Sequence, residues 1–168
     1  MLDIEEKSKE TFGITYKDYF RIRFNGITEI VRTLTPIMDE INALNRIKEL
    51  YKKKSIALID RLLKDKKPIT NFEEFKEIYK EQMSTEFMEH CLEFTIIQDT
   101  PTRLTLKFTK CLWAKTFLEI NEPGLGYAMC CNPDYTMAKA FHPKLKLIRN
   151  KTLMQSNDCC NSTYIWED

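Results

Sequence analysis

The sequence predicts an α+β fold: N-terminal helices packed on a small C-terminal antiparallel sheet of about four strands, with short helices inserted. Three observations predict it. Residues 1–90 are poor in glycine and repeat their apolar side chains every three or four positions. Near residue 91 the apolar spacing changes to every second position. Beyond residue 111, short helical runs alternate with proline-containing breaks before the two-residue spacing returns. With 168 residues there is enough chain for one core. A single domain over 1–168 is expected, with a helical part (1–90) and a sheet-containing part (91–168) that carries the chemistry.

A short leading helix is expected over Asp3–Thr11, ending at Gly13. Tyr16, Tyr19, Phe20, Phe24, Ile27, Ile30, Val31 and Leu34 recur at three and four and form the stripe of a second helix. Thr35-Pro36 is read as a cap and restart, because proline is tolerated at a first helical position. Ile37, Ile41, Leu44, Ile47 and Leu50 then form the apolar stripe of the next helix, which continues through Ile56, Ile59, Leu62 and Leu63 and ends at Lys67-Pro68. Asn71 caps a further helix with Phe72, Phe75, Ile78, Tyr79 and Met83 on one face.

Leu92, Phe94 and Ile96 alternate with polar neighbours, as do Leu104, Leu106 and Phe108. Asp99-Thr100-Pro101 between them predicts an antiparallel hairpin, apolar on one face. Cys111–Ile120, Pro123–Cys131 and Asp134–Phe141 read as short helices. Lys144–Met154 reads as a strand, Gln155–Asp158 as a turn and Cys160–Trp166 as a last strand, paired in sequential order.

Composition narrows the function. Lys plus Arg number 26 against 25 Asp plus Glu, which argues against a nucleic-acid binder. No apolar run approaches a membrane span, and the start Met1–Lys7 lacks the apolar stretch of a signal peptide. A cytoplasmic protein with free thiols is therefore expected. Glycine-rich phosphate loops and the nucleophile elbow are absent. His90 and His142 are too far apart for a histidine-rich metal motif. No cofactor is legible, and neither is an oligomeric state. The expected partner is a small-molecule substrate.

The six cysteines are the informative group: Cys91, Cys111, Cys130, Cys131, Cys159 and Cys160. Two vicinal pairs fit neither a zinc-ribbon nor a thioredoxin spacing. A buried free cysteine is ordinarily a small hydrophobe. Position argues for more here. Cys111 opens a helix after a strand, where outward N–H groups lower a thiol pKa. Cys131 and Asp134 flank a helix boundary, and Cys160 begins a strand. Such boundaries converge at one end of a small sheet, where thiols and a carboxylate suit attack on an electrophilic carbon.

The ordered set Cys111-Leu112-Trp113, Glu122-Pro123-Gly124-Leu125-Gly126, Cys131-Asn132-Pro133-Asp134-Tyr135, Phe141-His142-Pro143, Arg149-Asn150-Lys151-Thr152-Leu153-Met154 and Cys160 resembles the L-2-amino-thiazoline-4-carboxylic acid hydrolase family over about residues 90–166. The resemblance implies a hydrolase that opens a cyclic amidine at its C=N carbon. It makes Cys111, Cys131, Asp134 and Cys160 the catalytic candidates. Arg149 and Asn161 become the substrate-binding ones, Arg149 by pairing with a substrate carboxylate. Two departures touch this site. Ser156-Asn157 stands where the family pattern has Gly-Asp, and Asn161 follows the last cysteine where an acid or histidine is expected. The rival readings are a sensor domain whose clustered thiols bind a small molecule or soft metal, and an interaction protein with an apolar helix face.

Overall fold

A computed structural model describes residues 14–167. The helix expected over Asp3–Thr11 lies outside them. The chain runs α1 (Tyr16–Met38), α2 (Glu40–Leu63), α3 (Phe72–Met83), α4 (Glu86–Cys91), β1 (Leu92–Thr100), β2 (Arg103–Cys111), α5 (Leu112–Glu119) and α6 (Pro123–Gly126). A π-turn (Tyr127–Cys131), α7 (Pro133–Phe141), β3 (Leu145–Ile148), a 3-10 turn (Leu153–Gln155) and β4 (Cys160–Trp166) complete it. This is the expected α+β arrangement.

The helix starts are set by side-chain caps. Thr15 Oγ1 accepts from Asp18 N at 3.1 Å. Asp39 Oδ1 accepts from Asn42 N at 2.9 Å, and Asn71 Oδ1 from Glu74 N at 3.0 Å. Each satisfies an N–H that the first turn leaves without a helical partner. The restart expected at Pro36 does not occur: α1 runs through Pro36 to Met38, and the chain breaks at Asp39, whose φ is 46°. Pro36 sits in the last turn, so its missing N–H forfeits little helix beyond it. Thr35 Oγ1 donates to the Val31 carbonyl at 2.8 Å there. The stripe expected to begin at Ile37 and Ile41 is also corrected, for these are 77% and 74% exposed at the tip where α1 meets α2. Most of the rest of the stripe does face the cores: Ile59 is buried and Leu44, Ile47 and Leu63 are partly buried against them, joined by the buried Ala43 and Ser55.

The sheet is antiparallel throughout, in the order β1-β2-β4-β3. Sequential pairing is thus corrected: β4 inserts between β2 and β3, leaving β3 at an edge. The strand expected over Lys144–Met154 ends at Ile148. Leu104, Leu106, Phe108, Leu145, Leu147 and Tyr164 bury one sheet face against Phe72, Phe75 and Met83 of α3 and Ala138 and Phe141 of α7. A second core joins α1, α2, α5, α6 and the π-turn through Phe20, Phe24, Ala43, Phe117, Leu125, Met129 and Met154. Cys160 borders the first core; Cys111, Cys130 and Cys131 border the second. The thiols therefore lie along the seam between the two. Among the described residues no helix is long and apolar enough to cross a membrane.

Candidate active site

Five chain segments supply the site. Cys111 is the last residue of β2 and the N-cap of α5, its Sγ accepting from Ala114 N at 3.5 Å. Cys131 ends the π-turn, closed by Asn132 N donating to the Tyr127 carbonyl at 2.8 Å. A π-turn inserts one extra residue into a helix and recurs at functional positions. Here it carries the vicinal pair directly into α7, so no break occurs at Asn132-Pro133: Asn132 is itself helical at φ −64°, ψ −41°. Asp134 lies in the first turn of α7. Arg149 follows β3, and Cys160 opens β4 opposite Phe108.

Arg149 is the hub. Its side chain is only 7% exposed. Nη2 donates to Asp134 Oδ2 at 2.8 Å, Nε to Ser162 Oγ at 3.0 Å and Nη1 to the Cys131 carbonyl at 3.3 Å. Its guanidinium stands 5.9 Å from the Tyr135 ring centre, and Tyr135 OH donates to the Arg149 carbonyl at 3.2 Å. A buried guanidinium persists only with such partners. Burial works against its charge, but Asp134 more than compensates, so its pKa is raised. Burial likewise raises Asp134, with Arg149 opposing.

The three thiols are coupled to this pair and to one another. Cys131 is raised by burial and then by Asp134, with Cys111 and Cys160 adding. Cys111 feels Cys160 and Asp134, and Cys160 feels Arg149 and Asp134. The structure thus brings Cys111, Cys131, Asp134, Arg149 and Cys160 together. The expected sign at Cys111 is corrected. Burial pushes its thiol up to about 12, outweighing the N–H groups of α5. Cys160 is also raised by burial, although Leu153 N donates to its Sγ at 3.1 Å.

Asn161 is not part of this group. It alternates with Cys160 and Ser162 along β4 and so faces the other side of the sheet, opposite Lys107. Its Oδ1 accepts from Lys151 N at 2.8 Å and Asn150 N at 3.2 Å, and its Nδ2 donates to Asn150 Oδ1. It braces the backbone just after Arg149. The sequence assigns Ser162 and Tyr135 no role, although Tyr135 closes the Cys131–Tyr135 run that carries the resemblance. The two-residue spacing from Cys160 marks Ser162 as sharing its face, whereas nothing local places Tyr135 beside Arg149. At the departure from the family's Gly-Asp, Ser156 takes the left-handed conformation, φ 62°, ψ 23°. Glycine adopts that conformation without strain.

Beside this centre a cavity of about 510 Å³ opens between α5, the end of β2 and the turn after Leu153, with Cys111 in its wall. The α+β scaffold thus carries a guanidinium–carboxylate pair, set among protonated thiols, between its two apolar cores. A family model for L-2-amino-thiazoline-4-carboxylic acid hydrolase matches residues 22–164, and the chain belongs to that family. The match reaches back through α1–α4, well before the residues that carry the resemblance in the sequence. No curated protein matches the chain.

Proposed function

We propose that this chain hydrolyses a cyclic amidine of the 2-amino-thiazoline type, with Asp134 as the general base. One observation carries the proposal: the Asp134–Arg149 pair sits among three thiols delivered by three separate segments. The amidine carbon, bonded to sulfur and nitrogen, is the electrophile. Asp134 takes a proton from water, and the oxygen adds to that carbon as the C=N electron pair moves to nitrogen. The tetrahedral carbon collapses with loss of its ring C–S bond: sulfur leaves with the bonding pair and takes the proton held by Asp134, the nitrogen pair re-forms the double bond, and the proton of the added hydroxyl moves to that nitrogen to leave a C=O. One water is consumed, and a carbamoyl derivative leaves.

Each neighbour has a role in this scheme. A raised pKa makes Asp134 the stronger base, while Arg149 orients its carboxylate. Water rather than a thiolate is the nucleophile, because burial keeps Cys111, Cys131 and Cys160 protonated at neutral pH. The thiols then serve as neutral walls and weak donors. Asn132 Oδ1, next to Cys131, is a buried acceptor with no hydrogen-bond partner among the described residues. An amidine N–H would satisfy it. The soft-metal reading gains no support: among the described residues, no three His, Cys, Asp or Glu side chains are grouped to hold an ion.

The test is ring opening of 2-amino-thiazolines, with and without a 4-carboxylate, by the purified chain. Wild type should give the ring-opened product. Asp134→Asn should lose about 10²–10⁴-fold in kcat, the range expected for removing a general base. Turnover that survives Asp134→Asn, or no ring opening by wild type on any member of the panel, would overturn the assignment.

A further inference from the structure

We propose that the substrate is a cyclic amidine carrying a bulky apolar substituent in place of a free carboxylate, and that this substituent occupies the cavity beside Cys111. This rests on the reading of the centre as an amidine hydrolase and names the substrate class it takes. The family's namesake substrate is a single five-membered ring with an amino group and a free carboxylate. The cavity here, at about 510 Å³, lies within the roughly 300–1,000 Å³ that holds drug-sized ligands. A bare ring would leave most of it empty.

Its walls are mostly apolar, contributed by Leu112, Ala114, Leu118 and Leu153, with Lys110, Lys115 and Glu119 among the polar residues around them. Two of these residues tie it to the reaction centre. Cys111 belongs to both, and Leu153 spans them, since its N–H donates to Cys160 Sγ. A substituent lying against Leu118 and Leu153 would therefore place an attached ring toward Cys111 and Cys160.

The cations nearby are already engaged. Arg149, the candidate for a substrate carboxylate, is ion-paired with Asp134 at 2.8 Å, and its other contacts go to Ser162 and the Cys131 carbonyl. Lys110 at the cavity rim pairs with Glu93 at 2.5 Å, and Lys115 also has a partner. At the centre itself a carboxylate would compete with Asp134 for the buried Arg149, and a desolvated charge without a partner is unfavourable. An apolar group needs no such exchange and gains by burial against the leucines.

The experiment is calorimetric titration of the full chain with two probes, 2-amino-thiazoline-4-carboxylate and its benzyl amide, alongside a turnover assay of each. Leu118→Trp fills the cavity, and Leu118→Phe is a milder second variant. Leu118 is 38% exposed, so both changes are made at the surface side. The amide should bind wild type about tenfold more tightly than the acid, and Leu118→Trp should weaken the amide about tenfold while leaving the acid within about twofold. Equal or tighter binding of the acid, no binding of the amide, or an amide affinity untouched by both variants would overturn the proposal. If the predicted binding pattern holds and neither probe is opened, the cavity assignment stands and the amidine-hydrolase reading falls.

Discussion

Arg149 Nη2 donates to Asp134 Oδ2 at 2.8 Å, joining the residue after β3 to the first turn of α7. The two partners are unequally buried, Arg149 at 7% exposure and Asp134 at 32%. Removing Asp134 strands a buried cation, whereas removing Arg149 leaves a carboxylate that still reaches water. Asp134→Asn should therefore destabilise the fold by roughly 3–5 kcal/mol, and Arg149→Met by less. Urea unfolding of the two variants checks the order, and the reverse order contradicts this account of burial.

The thiols predict an alkaline limb in stability. Burial raises Cys91 and Cys111 from 9.0 to about 12. For an acid raised on folding, the native state favours the protonated form. The stabilisation is complete below the unfolded pKa near 9 and is lost as pH climbs toward 12. Melting temperature should thus fall between about pH 9 and pH 12, and Cys111→Ala should flatten that fall. Native thiols should also alkylate far more slowly at pH 8 than thiols in urea.

Gly126 separates packing from propensity. A Cβ there would stand 2.5 Å from Met154 Sδ and 2.6 Å from Phe117 Cγ, whereas one at Gly26 meets nothing within 4 Å. Gly126→Ala should destabilise by about 1–3 kcal/mol through overpacking. Gly26→Ala, inside α1, should stabilise by about 0.5–1 kcal/mol through helix propensity. Thermal unfolding of both variants gives the opposite signs.

Ser156 occupies a left-handed position at φ 62°. Ser156→Gly should relieve about 1 kcal/mol of strain, seen as a higher midpoint in urea with an unchanged slope.

Asn161 should matter through its oxygen. Asn161→Ala removes the acceptor for two backbone N–H groups and should cost about 1–3 kcal/mol. Asn161→Asp keeps an acceptor and should retain most of the stability. Equal loss in both variants would show that the Nδ2 contact to Asn150 matters more than the two N–H bonds.

The hairpin and the last strand were legible because β-alternation is local: Leu104, Leu106 and Phe108 announce a face whatever lies across it. Asn71 was legible for the same reason, its cap needing only the next three residues. The strand order was not, since β4 pairs with β2 through contacts distant in sequence. The end of β3 was missed because Leu153 extends the apolar run while lying in a 3-10 turn held by Thr152, whose Oγ1 accepts from Gln155 N at 3.2 Å. At the site, the convergence of segment boundaries could be anticipated from strand and helix ends. The sign of the Cys111 shift could not, because burial by α1 and the π-turn is a tertiary fact. The partnership of Arg149 with Asp134 was hidden for a similar reason: an arginine after a short strand reads the same whether it faces a substrate or a neighbour.

The most direct test of the centre is mass analysis of a 2-amino-thiazoline incubated with wild type and with Asp134→Asn in water enriched in ¹⁸O. Addition of water at the amidine carbon predicts a ring-opened product carrying one labelled oxygen from wild type and almost none from the variant. Equal labelled product from both proteins, or unreacted ring in every sample, would contradict a water-activating role for Asp134.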